Sequence, residues 1–118
     1  MNSKEAIQNY LFAERAKTNL ITLSQSASVL YELKGAEKSG AKKMLKIFAG
    51  AIGQDLGLAY NTTKNQSFKD ANEILEQAEG MLENEDLEDA SLAISSAITK
   101  ATTPAQQAWQ VLSKNELI

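Results

Sequence analysis

The chain has 118 residues, 43% apolar and 23% charged, with a net charge of −3, a size and balance that suit one domain with its own core. It contains no cysteine and no histidine. This excludes disulfides, thiolate catalysis, Ser-His-Asp triads, ordinary zinc sites and a Glu-x-x-His di-iron pair.

One proline and six glycines supply too few turn residues for a many-stranded β fold, while alanine, leucine, glutamate and lysine favour helices. The first predicted helix runs from about Ser3 to Leu33. Ala6, Ala13, Ala16, Leu20, Leu23, Ala27 and Leu30 form its seam at spacings of three and four, widened by Tyr10, Ile21 and Tyr31. Gly35 is its natural stop. A second helix starts between Ala36 and Gly40 and continues to about Tyr60. Met44, Leu45, Ile47, Phe48, Ala51, Ile52, Leu56 and Leu58 cover most of its circumference, which predicts the most buried helix of the set. Asn61, Thr62 and Thr63 close it.

The third helix opens on Ser67 and Asp70, a variant capping box, and keeps helical spacing through Phe68, Ala71, Ile74, Leu75, Ala78, Met81 and Leu82. Asn84 and Glu85 form a tight reversal, and Asp86 is the expected N-cap of a fourth helix. Its stripe is Leu87, Ala90, Ile94, Ala97, Ile98 and Ala101, continued past Pro104 by Ala105, Ala108, Trp109, Val111 and Leu112. Either one helix is kinked at Pro104 or two helices meet there; the unbroken apolar phase favours the kink. Short connections then predict an all-α, antiparallel up-down-up-down four-helix bundle, one domain over residues 1–118. The first helix is expected to be the longest, with a projecting seam covered either by a dimer partner or by the kinked fourth helix.

Lys34, Lys38, Lys42 and Lys46 recur every fourth residue, with Lys43 beside them. Like charges at that spacing repel, and an anion would relieve them. The segment from Gly35 to Lys43 has the outline of a phosphate loop but carries Ala41 where the lysine belongs, and no strand precedes it. Residues 1–66 hold nine basic and five acidic side chains, and residues 67–118 hold three and ten. In an antiparallel bundle the start of the second helix meets the acidic turn after the third, so the two patches are expected to neutralise each other.

Glu73 with Glu76 and Asp86 with Asp89 are two acidic pairs whose spacing resembles the magnesium-binding carboxylates of all-α nucleotide pyrophosphohydrolases. The plainer reading is a solvated acidic face, with no metal and no cofactor. Ala49, Gly53 and Gly57, with Gly50 beside them, form a small-residue series in the second helix. Interior glycines each cost a helix about 1 kcal/mol, so close approach by another helix is the expected reason. Trp109, the single tryptophan, is either an interface anchor or the closure of one end of the core.

Ala78, the run Glu85-Asp86-Leu87-Glu88-Asp89-Ala90, Ile94 and Ala97 resemble one helical hairpin of the tetratricopeptide type over roughly a quarter of the chain. Pro104 sits two residues late for that pattern and there is no second copy. The same turn resembles hairpins of HEPN-type bundles, whose RNase version needs an Arg-x4-His motif that a chain without histidine cannot hold. Neither hairpin implies a function.

The N-terminal Lys4 and Glu5 lead into a polar-interrupted stretch, and the most apolar run, Met44 to Tyr60, contains Lys46, Gln54 and Asp55. A cytoplasmic protein without a membrane span is therefore expected. The functional expectation is a non-enzymatic helical interaction or assembly protein, self-associating as a homodimer. The rivals are an anion or nucleic-acid binding module on the lysine stripe and a magnesium-dependent nucleotide hydrolase on the acidic pairs.

Overall fold

The computed structural model describes residues 1–118. It contains α1 (Ser3–Ser28), a 3₁₀ turn (Val29–Glu32), α2 (Gly35–Thr63), α3 (Gln66–Glu83) and α4 (Leu87–Lys114). The four helices form an antiparallel bundle 54 Å long and 23 by 19 Å across. Around it they follow the order α1, α4, α3, α2, with the α1–α4 and α3–α4 pairings the most extensive. None of the helices is long and apolar enough to cross a membrane.

All seven residues of the predicted seam are buried, six on α1 and Leu30 in the 3₁₀ turn. So is Asn9, which fills the slot between Ala6 and Ala13 that the seam leaves without an apolar residue. Ala6 packs on Ala108 and Leu112 of α4, so α4 covers the seam to its N-terminal end and nothing projects. At 26 residues α1 is shorter than α2, with 29, and α4, with 28, which corrects the expected order of lengths. Tyr31 and Ile21 do not widen the seam: both are exposed, Tyr31 because the chain tightens into the 3₁₀ turn after Ser28 and Ile21 because it lies on the outer side of α1.

Gly35 adopts the left-handed conformation at φ +59°, but as the first residue of α2 rather than as a stop. At the far end Lys64 is the left-handed residue (φ 58°), its N–H donating to the Tyr60 carbonyl at 2.7 Å. The cap of α3 lies two residues before the expected Ser67. Asn65 takes the position, its side-chain oxygen accepting from the Ser67 N–H at 3.2 Å.

The fourth helix is a single element with Pro104 inside it. The proline ring is fully buried, and the hydroxyls of Thr102 and Thr103 donate to the Thr99 carbonyl one turn before it. Buried alanines face each other across the main pairing, Ala6, Ala13, Ala16 and Ala27 on α1 and Ala97, Ala101, Ala105 and Ala108 on α4. Small side chains on both sides let two helices approach closely, which explains the extent of this contact. Phe68 is the largest fully buried side chain and meets Phe12 edge-on with ring centroids 6.3 Å apart.

The second helix is not the most buried. Leu45, Ala49, Ile52, Leu56 and Ala59 point into the core, whereas Met44, Ile47 and Leu58 are 67%, 69% and 54% exposed. With α1 and α3 as its main neighbours it presents its remaining side outward.

Candidate functional site

Because α2 begins at Gly35, Lys38, Lys42 and Lys46 follow one edge of a continuous helix, the edge that faces α3. The start of α2 and the end of α3 share one end of the bundle, and there the charges meet. Lys38 forms an ion pair with Glu85, and Lys42 Nζ donates to the Glu83 backbone carbonyl at 2.9 Å, capping the C-terminal end of α3. The Lys38 ammonium holds the Glu85 carboxyl below its usual range. Lys34 and Lys43 are exposed without an ion-pair partner, while Lys46 lies close enough to Glu79 to oppose the rise of its pKa. The stripe is therefore answered in part from within the chain.

Asp86 occupies the N-cap position of α4, but its side chain accepts no capping hydrogen bond. Its carboxylate instead pushes the Asp89 carboxyl up, by favouring the protonated, hydrogen-bonding form of Asp89 and by repelling the ionised one. Glu73 and Glu76 are exposed on α3, and nowhere do three carboxylates gather closely enough to share an ion. The two acidic pairs are not brought together.

The small-residue series divides. Ala49 is fully buried. An added Cβ at Gly53 would stand 3.0 Å from Asn72 Oδ1, a side-chain contact with α3 and not a close backbone approach. Around Gly50 and Gly57 nothing lies within 4 Å. No helix of this chain makes use of those two glycines. Trp109 is 54% exposed over a shallow depression shared with Tyr10, Glu14 and Ala105, which removes its role as a closure of the core.

Four residues expected in the core, Met44, Ile47, Ala51 and Leu58, are turned outward and make a second seam on α2. With Gln54 they are all exposed and recur at the three-and-four spacing of a heptad. They lie on the outward side nearer α1, where Asp55 holds Arg15 through a two-bond ion pair whose Nε–Oδ2 distance is 2.9 Å. Gly50 and Gly57 flank this seam, one residue before Ala51 and Leu58. The signal was present in the sequence as apolar residues around most of the helix, which a helix with two neighbours cannot bury. Comparison with protein-family models, curated proteins and solved structures found no match to this chain.

Proposed function

We propose that this protein is a non-enzymatic helical assembly subunit that pairs with a second copy of itself through the outer seam of α2. The observation that carries the reading is that seam: a heptad row of uncharged residues, three of them large and apolar and each more than half exposed. Its layout is self-complementary. Met44 and Leu58 each lie seven residues from Ala51, so an antiparallel two-fold through Ala51 sets Met44 of one copy against Leu58 of the other. Ala51 at the crossing and the open Gly50 and Gly57 beside it permit a close helix contact. The acid nearest the seam, Asp55, is already neutralised by Arg15, so no like charges are forced together.

The available area is sufficient. A two-helix face on a body 54 by 23 Å offers on the order of 1,000 Å², against about 800 Å² per partner in a stable interface. Sedimentation equilibrium tests the reading directly. The wild-type chain is expected at twice its monomer mass, and Ile47→Glu with Leu58→Glu at the monomer mass, melting as the wild type does at dilution, because both side chains face solvent in the monomer. A wild-type chain that stays monomeric throughout the accessible concentration range would sink it.

A further inference from the structure

On its other edge, toward α3, α2 borders a cleft of about 270 Å³. The floor is apolar, built from Leu30, Leu45, Ala49 and Leu82. One lip is Lys42 and Lys46 on α2, and the other is Glu76, Glu79 and Glu83 on α3. We propose that this cleft receives a helical segment of a partner protein, which seats one large apolar side chain on the floor and sets a Lys or Arg one turn away against Glu76 and Glu79.

Size, charge and one glycine support the assignment. A cleft of about 270 Å³ with an apolar floor has room for one large side chain delivered from outside. The charges of the two lips do not balance. Two ammonium groups face three carboxylates, and Lys42 bonds to the Glu83 backbone carbonyl at 2.9 Å without pairing with its carboxylate. Burial first, and the Glu76 charge second, push the Glu79 carboxyl up against the opposing pull of Lys46. A cation carried beside an apolar group answers that excess of negative charge, as acidic lips over an apolar groove do when they take up basic amphipathic helices.

Gly80 lines the same cleft. It sits inside α3 without a positive φ, and an added Cβ would meet nothing within 4 Å. Neither the backbone nor the packing of this chain asks for glycine there, although it costs the helix about 1 kcal/mol relative to alanine. Close approach of a partner backbone over the cleft does ask for it. This surface lies on the opposite edge of α2 from the self-association seam, and the two can fail separately.

A phage-displayed library of helical peptides, selected against the full chain, tests the inference. Enriched peptides are expected to share a large apolar residue with Lys or Arg three or four positions away. By fluorescence polarisation their Kd should rise about tenfold on Gly80→Leu, which fills the cleft, and by a similar factor on Glu76→Gln with Glu79→Gln, which removes charge-assisted contacts. The Ile47→Glu, Leu58→Glu chain should select the same peptides. If Gly80→Leu lowers the melting temperature, the double Gln variant decides alone. No enrichment, an acidic consensus, or a Kd unmoved by the double Gln variant overturns the proposal.

Discussion

Asn65 connects three helices through one side chain. Its oxygen caps α3 at the Ser67 N–H, while its Nδ2 donates to Asn9 Oδ1 and to Gln107 Oε1, each at 3.0 Å. Asn9, only 3% exposed, completes the network by donating to the Glu5 carbonyl at 2.9 Å. Asn65→Ala removes a cap and leaves a buried acceptor unpaired, so unfolding in urea should show a loss of about 2–3 kcal/mol. The Asn9→Ala, Asn65→Ala double mutant should lose less than the sum of the singles, since either change alone orphans the other group. Full additivity would mean that the two side chains act independently. Asp86 illustrates the opposite situation, a contact that works against the fold. A carboxyl raised in the folded state keeps its proton to higher pH than in the unfolded chain. Stability therefore falls as pH rises through the interval between the ordinary and the raised value of Asp89, and the penalty is complete at neutral pH. Asp86→Asn should raise the melting temperature at neutral pH and leave it unchanged once the medium is acid enough to protonate Asp89. A gain of equal size at both ends of that range would point to something other than charge.

At the level of elements, α2 shows what an amino-acid pattern can and cannot convey. Periodicity reports which residues of a helix share a face, and the α1 seam, the α3 stripe and the α4 stripe fold as their spacing indicates. Periodicity does not report how many neighbours a helix has. With two apolar faces and its main contacts to α1 and α3, α2 buries Leu45, Ala49, Ile52, Leu56 and Ala59 and leaves Met44, Ile47 and Leu58 outside. The α3 cap falls at Asn65, two residues before Ser67, for a related reason. Ser67 and Asn65 are both good capping residues locally, and only the tertiary contacts of Asn65 with Asn9 and Gln107 favour the earlier start. The glycines of α2 make the proposed seam testable. Gly50→Ala and Gly57→Ala add a Cβ where nothing lies within 4 Å, so each should stabilise the monomer by about 1 kcal/mol. Gly53→Ala should gain less, because its Cβ presses on Asn72 Oδ1 at 3.0 Å. If the open glycines serve close approach of a second copy, the first two changes should weaken the dimer while raising the melting temperature at dilution. Gly53→Ala should leave the dimer constant unchanged. Dimer constants insensitive to all three substitutions would separate the glycines from association.

Across the whole molecule, the order α1, α4, α3, α2 makes α4 the most engaged helix and α2 the least. Both proposed contact surfaces lie on the two edges of that least engaged helix. Charge is arranged by end rather than by face: the start of α2 carries the lysines, and the α3–α4 turn carries the acids that partly answer them. That arrangement bears directly on polyanion binding. Five uncompensated lysines on one edge would release enough counterions for log K to fall against log salt with a slope near about −4.5. Here Lys38 is paired with Glu85, Lys42 is bonded to the Glu83 carbonyl and Lys46 looks toward Glu79, leaving Lys34 and Lys43 free. Two free cations give a slope of only about −1.8. Titration with a fluorescent double-stranded DNA oligonucleotide at several salt concentrations should therefore show weak binding with this shallow dependence. Lys43→Glu should remove most of it, while Lys38→Glu, which also places a like charge beside Glu85, should lower the melting temperature more than it lowers binding. A slope close to the five-lysine value would mean that the internal partners release their lysines to an anion. The basic end would then replace the α2 seam as the leading functional surface.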